Sequence, residues 1–126
     1  MSIKSILKDV SSAFGDLCKV YPQRPKSLSE PLDEFIVVTI PTAVENNELS
    51  SNGEYDLFTA GVQIEVYVRG RGGMLVGRLD ELTRSILERF PVVGDSCVTT
   101  RPTLRLTGSD GNGYDVANII ADVYTR

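Results

Sequence analysis

The chain has 126 residues, 41% of them apolar and 24% charged, with a formal net charge of −4. That length suits one domain with its own hydrophobic core. The acidic balance excludes a general nucleic-acid binder, which needs a basic footprint to displace counterions. Two cysteines, Cys18 and Cys97, are too few for a disulfide scaffold and read as reduced, buried thiols. Met1-Ser2-Ile3-Lys4 leads into an amphipathic pattern, not a continuous apolar stretch, so no signal peptide is expected. No run approaches the roughly 20 apolar residues that span a bilayer. The expectation is a soluble protein of the cytoplasm, at least until it joins something larger.

Residues 3–20 carry a helical pattern, with Ile3, Ile6, Leu7, Val10, Phe14 and Leu17 on one face. Gly15 weakens its last turns and Pro22 cannot continue it. Residues 22–33 hold Pro22, Pro25 and Pro31 and read as an extended connector. Glu34 to Ile40 is β-branched and aromatic, a strand buried on both faces that ends at Pro41. Residues 42–57 are polar, with a turn signal at Asn52-Gly53, and read as a long loop that serves as an interaction arm. In residues 58–69, Val62, Ile64, Val66 and Val68 alternate with Gln63, Glu65, Tyr67 and Arg69. That alternation predicts a strand with one buried face.

Gly70-Arg71-Gly72-Gly73 breaks the strand, and a second helix follows over 74–90. Leu75, Leu79, Leu82, Ile86 and Phe90 form its inner stripe, and Asp80 and Arg84 suit a surface pair four residues apart. Residues 96–107 read as a strand containing Pro102. Proline cannot donate to the ladder, so this strand lies at an edge or carries a bulge. Gly108 to Gly113 reads as a hairpin tip, and 114–125 as the last strand, with Ala117, Ile119, Ala121 and Val123 on one face. The fold class expected is α/β (α+β). It is a mostly antiparallel four-stranded sheet with two helices packed on it, in the order α-β-β-α-β-β, in one domain over 1–126.

The residues offer little chemistry. No histidine is present, which removes Ser-His and Cys-His nucleophile pairs and the commonest zinc ligand. Gly70-Arg71-Gly72-Gly73 lacks the phosphate-loop spacing and reads as a turn before the helix. Asp110-Gly111-Asn112-Gly113-Tyr114-Asp115 faintly resembles a calcium loop, but the twelfth position is Ala121 and not a bidentate Glu. We therefore expect no enzyme, no metal and no cofactor. The charge layout says more. Residues 27–57 hold seven acids and no base, whereas residues 69–105 hold seven arginines against four acids. A dipolar subunit can meet its neighbour head to tail and close into a ring. The bland alternative is surface charge balanced within the monomer.

The order of elements resembles the small tail-terminator, tail-completion and neck proteins of tailed bacteriophages. The likeness covers most of the chain. It rests on the helix 3–20, the proline-broken connector, the run Val62-Gln63-Ile64-Glu65-Val66-Tyr67-Val68-Arg69, the helix with Leu79, Leu82, Ile86 and Leu87, and the final hairpin with Gly113-Tyr114-Asp115-Val116. The resemblance implies a structural virion protein. It would form a ring, hexameric in many such proteins, at the head-proximal end of the tail, where it ends tail-tube polymerisation and joins tail to neck. Its partners would be copies of itself, the tail-tube protein and neck or connector proteins, with no membrane, and with DNA only passing through the lumen. It would sit in the virion and be made in the host cytoplasm.

The resemblance carries over no functional residue, so the interface candidates rest on this sequence. They are Glu45, Glu48, Glu54 and Asp56 on the polar loop, reaching a neighbour or the tube. Arg69, Arg71 and Arg78 would face the acidic side of the next subunit, and Asp110 and Asn112 lie at the hairpin tip. The alternatives are a head-completion or adaptor protein on the portal side, a small cytoplasmic regulatory domain with a ferredoxin-like sheet and a closed apolar pocket, and an enzyme that works with carboxylates alone.

Overall fold

The computed structural model describes residues 3–22, 32–40, 45–49, 55–69, 77–109 and 113–125. In chain order these form α1 (Ile3–Ser12), β1 (Lys19–Tyr21), β2 (Glu34–Thr39), β3 (Glu45–Leu49), β4 (Tyr55–Arg69), α2 (Arg78–Leu87), β5 (Val92–Val93), β6 (Cys97–Ser109) and β7 (Tyr114–Thr125). The strands make one seven-stranded sheet in the order β1-β2-β4-β7-β6-β5, with β3 also paired to β4. This corrects the expected four-stranded α+β arrangement and its order α-β-β-α-β-β. The protein is mostly β, and its sheet is mixed, because β1 runs parallel to β2 while the other pairs are antiparallel.

The three unexpected strands escape the sequence for two reasons. β1 has three residues and β5 two, too few to show a period. β3 is Glu-Asn-Asn-Glu-Leu, a composition depleted in strands, and it is a strand because β4 offers its backbone as a template. The polar stretch 42–57 is therefore not a plain loop. Glu45–Leu49 and the residues from Tyr55 onward are the two sides of a hairpin. Residues 13–20 also leave the helical reading, since α1 ends at Ser12 and β1 starts at Lys19.

The alternating strands sort their residues cleanly. Ile36 and Val38 of β2, Val62, Ile64 and Val66 of β4, and Ala117, Ile119, Ala121 and Val123 of β7 share one face and are buried. Both helices cover that face, α1 through Ile6, Leu7 and Val10, and α2 through Leu79, Leu82 and Ile86. Phe14, just past α1, packs edge-on to Phe90 at 6.2 Å. Each fully buried aliphatic side chain of this kind stabilises the fold by roughly 1.5–3 kcal/mol relative to exposure. Thr83 is the polar member of the inner stripe of α2, and its hydroxyl donates back to Leu79 O at 2.9 Å.

The opposite face of β2, β4 and β7 holds a second cluster. Phe35, Val37, Tyr114 and Val116 are buried there, with Tyr21, Leu32 and Tyr67 packed against them. Phe35 stacks on Tyr67 at 4.6 Å and meets Tyr114 edge-on at 5.3 Å. Glu65 is also on this face and is buried, its carboxylate accepting hydrogen bonds from Tyr67 Oη and from Gln63 Nε2 at 3.2 Å. The second face of β4 is therefore partly covered, with Glu65 buried and Gln63, Tyr67 and Arg69 half-buried.

Pro102 has the effect expected of it. The β6–β7 register shifts between Thr100 and Thr103, and Arg101 takes a left-handed φ of 57°. That bulge sits where β6 loses its outer neighbour, because β5 pairs only with Val98 and Thr99.

Candidate interaction surface

Two strand edges stand out. On one side of β4, β2 occupies Gln63–Val68 and β3 occupies Tyr55–Thr59. On its other side, β7 reaches only to Thr59. The hairpin of β3 and the start of β4 thus overruns the sheet. β3 pairs with β4 alone among the described strands, and the backbone groups of its outer edge have no strand partner among them. Glu45 and Glu48 lie on β3 and Asp56 on β4, which puts three of the sequence-predicted acids on this hairpin.

The second edge belongs to β6. From Thr100 to Ser109 it pairs, among the described strands, with β7 alone. Arg101, Thr103, Leu104, Arg105, Leu106 and Thr107 are all exposed. The register places Leu104 opposite Ile119 and Leu106 opposite Ala117, on the helix-covered side of the sheet. The helices stop short of them, and they remain 39% and 53% exposed. Arg101 and Arg105 make no ion pair with any described residue.

The other described arginines are engaged within the chain, Arg69 and Arg78 of the interface candidates among them. Arg69 reaches Asp33 at 3.1 Å and Leu32 O at 3.3 Å, and its guanidinium lies 5.5 Å from the Tyr114 ring centre. Arg78 grips Glu34 with two bonds of 2.6 and 2.7 Å. Hydrogen bonding to Glu34 holds its guanidinium firmly in the charged form. Arg84 pairs with Asp80 at 2.8 Å, as the four-residue spacing predicts. Arg89 binds Asp16 through bonds of 2.5 and 2.8 Å, and the Arg89 guanidinium holds the Asp16 carboxyl below its ordinary range. Glu54, Arg71, Asp110 and Asn112 lie outside the described residues. The sequence reading missed the exposed leucines of β6, although Pro102 with the alternation Leu104, Leu106 was a signal for them.

A groove of about 1050 Å³ lies between α1 and β1. Leu7, Val20 and Tyr21 line it, and Lys4, Lys8 and Lys19 give it a basic character. Cys18 also borders it and is half-buried, so only Cys97 is the buried thiol expected. Among the described residues no three His, Cys, Asp or Glu side chains gather to hold a metal ion, and no helix is long and apolar enough to cross a membrane. No protein-family model and no curated protein matches this sequence.

Proposed function

We propose that this chain is a ring-forming structural protein of a phage tail. It sits at the head-proximal end, stops growth of the tail tube and presents a docking surface to the neck. The observation that carries this reading is the β3–β4 hairpin, which overruns the sheet, carries Glu45, Glu48 and Asp56, and has no strand partner on the outer side of β3 among the described residues. Such an edge gives affinity through main-chain pairing, which suits assembly between like subunits. The role needs no catalytic group, and stacking on a tube end needs only complementary surfaces.

The test is tube growth in vitro. Tail-tube protein from the same phage is allowed to polymerise with and without this chain, and tube lengths are measured by negative-stain microscopy. Shorter tubes with added density at one end are expected. Tubes of unchanged length with no bound chain contradict the tail-end role, and capture by portal protein instead moves the subunit to the head side.

A further inference from the structure

Resting on the ring reading, we infer that the open edge of β6 receives strand β3 of a second copy, so that the sheet continues from subunit to subunit. Three observations converge on this pairing.

The first is the state of β6 itself. Residues 103–107 are exposed on both faces and have no strand on their outer side among the described residues. Leu104 and Leu106 are left in water there, 39% and 53% exposed. Isolated chains blunt such edges, and Pro102 with its bulge does so only at one end. An incoming strand would cover the leucines and satisfy the row of backbone groups.

The second is charge. β6 carries Arg101 and Arg105 and no acid, whereas β3 carries Glu45 and Glu48 and no base. The remaining edge strands fit less well. β5 has two residues and no charge, and β1 has three, with its Lys19 ammonium 5.5 Å from the Tyr21 ring centre. The β6 edge is long enough for the five residues of β3.

The third is geometry. β3 and β6 of one chain are separated by β4 and β7, three strand spacings or about 14 Å. They cannot pair with each other within a subunit. Two different patches that match between copies make a head-to-tail contact, which closes into a ring when the rotation permits.

The experiment uses two full-length variants. In one, Arg101→Asp and Arg105→Glu make the β6 edge acidic, aspartate being chosen because it tolerates the left-handed backbone at residue 101. In the other, Glu45→Lys and Glu48→Lys make β3 basic. Circular dichroism checks that each folds, and sedimentation velocity gives the native mass, with and without tail-tube protein. Each variant alone is expected to fall to monomer. Their equimolar mixture is expected to regain the wild-type mass, since acidic β6 then meets basic β3 and the native edges also match. Amide exchange on the unmodified protein gives an independent reading, with slower exchange at 45–49 and 100–109 on assembly. A ring that survives both reversals, or shows no added protection in those segments, overturns the strand pairing while leaving the ring reading intact. A wild-type chain that stays monomeric even with tube protein overturns both.

Discussion

Asp9 of α1 reaches across to the turn between β5 and β6. Its Oδ2 accepts the Ser96 N–H at 2.9 Å and lies 3.6 Å from Cys97 Sγ. Gly94 leaves the room for this, because a Cβ built there would overlap the Asp9 side chain. We expect Gly94→Ala to destabilise the fold by about 1–3 kcal/mol, the usual range for forcing atoms into a packed site. Thermal unfolding followed by circular dichroism checks it, and the loss should shrink when Asp9→Ala is added. The same contact bears on pH. Burial first, and then the Asp9 charge, pushes the Cys97 thiol up to about 12, and burial pushes Cys18 up to about 11. A folded pKa raised above the unfolded one favours the protonated form. That stability is whole below the unfolded pKa near 9 and is lost as pH rises through 11 and 12. Melting temperatures are therefore expected to hold to about pH 9 and to fall above it, and replacing both cysteines with alanine should flatten that fall.

The elements differ in how far they could be read from sequence. The apolar stripes of α1 and α2 and the alternation of β4 and β7 are set by local spacing, and Pro102 announces its own bulge. β3 has no such signal, because four polar residues and a leucine become a strand only through their pairing with β4. The partners of the arginines were equally hidden, since Asp33 lies 36 residues from Arg69 and Glu34 lies 44 from Arg78. Composition located the acidic and basic regions, but only the folded chain shows which charges are already paired. This leads to a prediction for Arg78. Its side chain is 46% exposed, so solvent screens the pair, and Arg78→Ala is expected to cost less than about 1 kcal/mol in denaturant unfolding. Because Arg78 serves its own subunit, the variant should keep the wild-type native mass. Dissociation of the assembly in Arg78→Ala would restore the arginine to the interface role that the sequence suggested.

At the scale of the whole molecule, the sheet has one face closed by helices and a second carrying aromatic residues and Glu65, while the outer edges of β3 and of β6 beyond Thr99 have no strand partner among the described residues. The stable core explains how the chain folds, and the open edges explain what it has left to bind. An acidic edge on one side and a basic, leucine-bearing edge on the other favour head-to-tail growth over a two-fold dimer. The central claim is that this growth closes. Native mass across a concentration series, with negative-stain images of the top concentration and of the chain mixed with tail-tube protein, tests it most directly. We expect a single discrete assembly of about six copies with a central hole, reached at high concentration or on addition of tube protein. A monomer or two-fold dimer that persists under both conditions would contradict it.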